Sequence, residues 1–472
     1  MNSRIRVATF LAITLATISS SAAQLRAGAA AVDITPKLFP VNMPGGFNAN
    51  YATNAHDPLH SSAIVLDDGR LKIAMVVVDN LSGSPEAYDE ARATIAARTG
   101  IATNHVLISA THAHSAVRAN STSGPAPEVA YRKVFIDGIV DSIIQANAAL
   151  QPATFGHAAA PLADEVFNRR WFLKPGKMPL NPFGRMDKVK MNPGTSPTVI
   201  DRPAGPTDPD ITIISLLNRK RRPLALYANY SLHYVGATPR GQVSADYYGE
   251  FARLMPWRLR GDKDFVAVMS NGASGDINNI PFGVIRPPRE PFEQIRIVAR
   301  KAADTAWTAF KKIPEHQGDV TLGMRERNIE LKYRKPSPAD LARARSILAE
   351  KDKAKIAEFP RLAQAYAGRT VSAASKSDSV TVKLQAIRIG DLGIATIPFE
   401  ALVEIGLDIK KRSPFPQTMV VGLANGRHGY LPTPEQHELG GYETWLGTCS
   451  VQKDASVIIT RHLLEMLNEL HK

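Results

Sequence analysis

The chain is predicted to fold as an α/β protein with helices layered against β-sheet, and three features carry that prediction. Strand-like and helix-like segments alternate along its N-terminal third. The run Ala74-Met75-Val76-Val77-Val78 is apolar on both faces, as a central strand covered from both sides must be. A second apolar run, Val106-Leu107-Ile108, leads into Thr111-His112-Ala113-His114-Ser115. That places two imidazoles at a strand end, where α/β proteins tend to hold their sites.

Taken in order, the chain opens with Arg4 and Arg6, an apolar stretch from Val7 to Ile18, and small residues at Ser21 and Ala23. This is the three-part form of a secretory signal peptide, residues 1–23, with cleavage before Gln24. The expected product is secreted or periplasmic, and no later apolar run has membrane-spanning length. Met43-Pro44-Gly45-Gly46-Phe47 makes a tight loop. Ala63 to Leu66, the turn Asp67-Asp68-Gly69, and Ile73 to Val78 read as a hairpin. A helix follows from about Ser84 to Arg98, ended by Gly100, and a second from Val134 to Ala149. Asn168 to Pro209 is rich in Pro, Gly, Lys and Met with little periodicity, which predicts a long substrate-binding loop or lid. Strands resume at Ile211 to Leu217, Leu224 to Ser231 and Phe265 to Met269, with a helix from Tyr247 to Leu259. Two charged helical stretches around Pro360, then a small-residue linker from Thr370 to Ser379, make residues 336–370 a helical insertion. A last helix runs from Ala455 to Leu470.

Lys and Arg number 57 against 44 Asp and Glu, a formal charge of +13. Such a surface favours peripheral contact with an anionic membrane or an acidic polysaccharide. The basic residues are spread along the chain without a nucleic-acid-binding motif, so no nucleic-acid partner is expected. Cys449 is the sole cysteine, which excludes an intramolecular disulfide, a cysteine-rich zinc site and a C-x-x-C redox pair. Any metal must be held by nitrogen and oxygen.

Four separated segments carry residues suited to that task. Side chains two apart on a strand share a face, so His112 and His114 are expected to converge from a strand. Asn229-Tyr230-Ser231-Leu232-His233 closes another strand. Ile397-Pro398-Phe399-Glu400 ends a third and leads into a helix containing Glu404. Leu423-Ala424-Asn425-Gly426-Arg427-His428-Gly429-Tyr430 crosses from strand to loop with an exposed tyrosine. Asp246 and Asp276 are placed to orient histidines or loops from behind, or to cap and turn the backbone.

In order and spacing these motifs, from Asp33-Ile34-Thr35-Pro36 to Tyr430-Leu431-Pro432-Thr433 and Gly441-Tyr442-Glu443, resemble the catalytic domain of neutral, non-lysosomal ceramidases. The resemblance implies layered mixed β-sheets flanked by helices, over residues 24–472, without the C-terminal immunoglobulin-like domain those enzymes carry. It implies a zinc ion held by His112, His233, Glu400 and Tyr430. It implies a site role for His114 beside the metal, in proton transfer or oxyanion support, with a second metal ligand as the alternative. Arg169, in Phe167-Asn168-Arg169-Arg170-Trp171, matches the arginine that reaches the substrate's polar head, and Arg170 replaces it if the register slips by one.

The chain departs from the family where Gly275-Asp276-Ile277-Asn278-Asn279 has Asn278 at a serine position, which removes a serine mechanism there. It departs again where Ala116-Val117-Arg118-Ala119-Asn120 replaces a glycine-rich continuation. The resulting expectation is an exported zinc hydrolase cleaving an amide, in an N-acyl lipid or small N-acyl compound, by attack of zinc-activated water. The alternatives are an esterase, a metal-assisted lyase acting on an acidic glycan, or a non-catalytic binding protein.

Overall fold

The computed structural model describes residues 24–46 and 48–472; the predicted signal peptide lies outside them. The expected hairpin forms, with His60–Asp67 antiparallel to Lys72–Val78. Its turn is fixed by the carboxylates of Asp67 and Asp68, which accept from the amides of Gly69, Arg70 and Leu71. The following helix, Pro85–Thr99, starts where Ser84 caps the Ala87 amide and ends where Gly100 turns left-handed.

An eight-stranded mixed sheet runs in the order Val266–Asn271, Pro223–Tyr230, Asp210–Asn218, Gln151–Pro161, Arg26–Asp33, His60–Asp67, Lys72–Val78, Val106–Ala110. Its first and last pairs are parallel and the rest antiparallel. A four-stranded sheet, Leu322–Lys332, Ser379–Ile389, Leu392–Ile397 and Gln417–Gly422, stacks on it.

The period-2 pattern shows how the layers share their side chains. Ala63, Val65, Val76 and Val78 pack under the helices Pro85–Thr99 and Ala126–Ala148, while Ile64, Leu66, Met75 and Val77 face Ile387, Ile389, Met419 and Val421 of the second sheet. The other face of that sheet, Leu384, Ala386 and Ala395, meets Ile405, Ile459 and Leu463 of the C-terminal helices. Both sheets are therefore buried on both faces, giving helix, sheet, sheet and helix layers. Each such aliphatic side chain contributes ~1.5–3 kcal/mol by leaving water.

Several local expectations are corrected. The helix expected from Val134 begins at Ala126, one residue after Pro125. Residues 168–209 are not one irregular loop: Arg170–Leu173, Val189–Met191 and Ile200–Pro203 form a three-stranded sheet too short and polar to show a period. The insertion holds three helices, Pro338–Ala349, Lys353–Ala357 and Ala363–Ala374, and the last absorbs much of the expected linker. Ala367, Thr370 and Ala373 are small because that helix is packed closely, and its Tyr366 meets Trp445 at 5.1 Å between ring centroids.

Candidate metal site

The strand Val106–Ala110, the edge of the large sheet, stops before the histidines. His112 has φ 68, and its amide donates to the Asn80 carbonyl at 2.9 Å. The two rings therefore converge because the chain turns through a left-handed residue, and not because alternate strand positions share a face as expected.

The turn is tied to the second sheet. The Ala110 amide donates to Leu423 at 3.3 Å and the Asn425 amide to Ile108 at 2.7 Å. This carries the third and fourth motifs to the first. Glu400 and Tyr430 lie side by side in a short parallel pair. His233 arrives from the end of Pro223–Tyr230.

Each imidazole is held from behind. His112 Nδ1 lies 2.8 Å from the Leu81 carbonyl, His114 Nδ1 2.7 Å from Gly45, and His233 Nδ1 2.9 Å from Ser274. A carbonyl only accepts, so the network assigns the proton to Nδ1 in all three rings and leaves each Nε2 with its lone pair. Tyr234 stacks on the His114 ring with centroids 3.7 Å apart.

Those lone pairs face one another. His112 Nε2 is 3.2 Å from His114 Nε2 and 3.2 Å from Glu400 Oε2, and His233 Nε2 is 3.8 Å from the same oxygen. His233 Nε2 and Glu400 Oε2 are buried with no hydrogen-bond partner. Burying acceptors against acceptors is costly unless a cation sits between them. The separations are close to the ~3.4 Å edge of a tetrahedron of ~2.1 Å bonds. His112, His114 and His233 thus form a cluster able to hold a metal ion, their donor atoms all within 4.8 Å of one another.

The electrostatics keep the cluster in its binding form. Burial opposes ionisation of Glu400, but Arg427 and the neighbouring histidines together outweigh it and hold the carboxyl well below its ordinary range. Arg427 Nε and a terminal nitrogen both contact Glu400 Oε1, at 2.9 and 2.8 Å, leaving Oε2 for the cluster. Burial pushes His114 and His233 well below the ordinary histidine value, and His112 reinforces both shifts.

Tyr430 is buried, 6% exposed, not exposed as its loop position suggested. Burial, with Glu400 beside it, raises its phenol well above the ordinary value. Its oxygen accepts from Arg169 at 3.1 Å, and Arg169 Nε is held by Glu443 at 3.0 Å. Arg170 points the other way, to Glu443, Gln436 and the Gly440 carbonyl. Of the two arginines, Arg169 is therefore the one that reaches Tyr430.

Asp246 bonds no histidine among the described residues. It accepts from the amides of Val235, Gly236 and Tyr247, shaping the loop after His233. Asp276 likewise binds the Val403 amide and Asn168, while its carbonyl receives the Arg169 amide, so it fixes the approach of Arg169. Asn278 bonds Asn192, and the Ser274 hydroxyl donates to Asn271 behind the His233 ring. Glu404 accepts from Gln436. Sequence reasoning missed Arg427, Glu443, Tyr234 and the carbonyl of Gly45.

No protein-family model and no curated protein matches the chain. Among solved structures it is similar to neutral ceramidase from Pseudomonas aeruginosa, with TM-score 0.71 and 16% identity over 95% of this chain and 74% of that one. It is also similar to a ceramidase complexed with C2, with TM-score 0.69 and 15% identity over 95% and 75% of the two chains. The architecture built here from buried strands and two stacked sheets is thus a divergent form of the ceramidase fold.

Proposed function

We propose that the chain is an exported zinc-dependent hydrolase that cleaves an amide in an N-acyl lipid or small N-acyl compound. One observation carries the reading: the Nε2 atoms of three histidines and the Glu400 Oε2 oxygen converge, and of these His233 Nε2 and Glu400 Oε2 are buried without a hydrogen-bond partner. His112, His233 and Glu400 would hold the ion, with Tyr430 as a weak further ligand that leaves a position for water. A nitrogen and carboxylate set without thiolate suits zinc, which supplies Lewis acidity and activates water at neutral pH.

The chain's own groups then divide the work. Arg169 and the Tyr430 hydroxyl donate to the carbonyl oxygen as negative charge develops there. His114, steered by the Gly45 carbonyl and the Tyr234 ring, would take a proton from the attacking water at Nε2 and pass it to the leaving nitrogen. Asn278 takes no covalent part. Both similar structures are ceramidases, and one was solved with C2, which supports an acylated amine as the substrate class. Ile280, Val284 and Ile285 are 43%, 57% and 81% exposed on a loop that follows the pairing with Asn168. With the chain's positive charge, they support peripheral contact with an anionic membrane beside the site.

Replacing His233 with Ala is expected to abolish both metal retention and turnover, measured by metal analysis and amine release. Full turnover in that variant would overturn the reading. His114→Gln separates the two roles considered for that ring: retained metal with turnover lost supports proton transfer, and lost metal makes it a ligand.

A further inference from the structure

The cluster has a neighbour whose chemistry differs from that of an acyl chain. A cavity of about 380 Å³ is lined by Pro44, Asn80, Leu81, Arg118, Arg427 and the stretch 119–123. Three of its wall segments support the metal site from behind. The Leu81 carbonyl holds His112, Pro44 precedes the glycine that holds His114, and Arg427 holds Glu400.

The lining contains two guanidinium groups, hydroxyls and amides, and no carboxylate. Arg427 is neutralised by Glu400. Arg118 is anchored through its amide to the Asn42 carbonyl at 2.9 Å, and its side chain meets no carboxylate among the described residues. Asn120 spends its carbonyl oxygen on the Ser84 amide, which leaves its own NH2 to donate. A free guanidinium beside neutral donors is complementary to a carboxylate, which it can bind through two parallel bonds.

We propose that this cavity recognises a carboxylate on the amine half of the substrate, so that the class cleaved is the N-acyl amino acids, with Arg118 as the specificity-determining residue. The inference rests on the amide-hydrolase reading above. The half is assigned by size and polarity: ~380 Å³ lies at the small end of ligand pockets, enough for an amino-acid head, and its mainly polar walls offer an acyl chain only Pro44, Leu81 and Ala119. In the reaction the carbonyl carbon gains oxygen from water and loses the nitrogen. Water's protons are shared between the new carboxylic acid and the amino group of the freed amino acid.

The test compares N-octanoylglycine with N-octanoylglycinamide, which differ only in the carboxylate that becomes an uncharged amide, by octanoate release from zinc-loaded wild type and Arg118→Ala. The expected result is at least a tenfold higher kcat/KM for the acid in wild type. The substitution should raise KM for the acid by ~10–100-fold, as loss of a charged hydrogen-bonded pair does, while its kcat, the glycinamide kinetics and metal content stay unchanged. Equal kcat/KM for the two compounds, or equal losses on both in the variant, would overturn the proposal. If neither is cleaved, the hydrolase reading fails separately, and calorimetric binding of the same pair decides the cavity: an Arg118-dependent preference for the acid upholds it, and no preference overturns it.

Discussion

Gly45 lies so close to His114 that a single methyl group would displace the ring: a Cβ there would stand 2.5 Å from His114 Cβ and from its carbonyl oxygen. Gly45→Ala is therefore expected to leave the fold intact and lower turnover by about 100-fold, the usual cost of misplacing a reacting group by about an ångström. Unchanged turnover would mean that the position of His114 is immaterial. Arg427 acts on the other side, by occupying Glu400 Oε1. Arg427→Gln should weaken metal affinity by ~10–100-fold in a chelator competition, and unaltered affinity would remove it from the site. Both residues stand inside motifs visible in the sequence, yet nothing in their residue type marks either as functional. Gly45 works through a carbonyl and a missing side chain, which a sequence does not advertise. Arg427 could have been found by asking what keeps a buried Glu400 ionised. His112, His114, His233, Glu400 and Tyr430 stood out as nitrogen and oxygen donors at strand ends and turns, whereas their division into ligands and helpers, and the choice of Arg169, came from the resemblance to neutral ceramidases.

At the scale of elements, the strands were readable as short apolar runs bounded by turns, and the helix Pro85–Thr99 from its caps, Ser84 and Gly100. The three-stranded sheet within 168–209 was not, because strands of three or four residues, one face of them polar, leave no period to detect. The strand-end pairing that joins the two halves of the site was equally hidden. Glu400 and Tyr430 meet through a two-residue parallel pair, whose closeness depends on Gly275, where a Cβ would stand 2.5 Å from the Glu400 carbonyl oxygen. Gly275→Val should separate the pair, reducing zinc content below half of wild type while far-ultraviolet circular dichroism is retained. Full zinc loading in that variant would show that the junction tolerates displacement.

Across the whole molecule, burial without a compensating ion pair sets how several acids make stability respond to pH. It pushes the carboxyls of Asp79 and Asp276 up to about 7 and that of Asp246 to about 6. A carboxyl whose folded value exceeds its unfolded value of ~3.9 stabilises the fold fully below that lower value, and the contribution is lost as pH rises through the folded value. These groups accordingly predict a loss of stability between pH ~4 and ~7. Asp79→Asn is neutral throughout, so in urea unfolding it should match wild type near pH 4 and exceed it at pH 8. The gain at pH 8 is up to ~4 kcal/mol, because each pH unit between the unfolded and folded values is worth ~1.4 kcal/mol. An equal gap at both pH values would contradict the assignment. The central claim, however, is that the convergent nitrogens and Glu400 hold zinc for amide hydrolysis. It is tested most directly by zinc content and amine release from an N-acyl substrate panel for wild type and Glu400→Gln. One zinc per chain with release that depends on Glu400 is the predicted result; protein that takes up no zinc, or release undiminished in the variant, would contradict it.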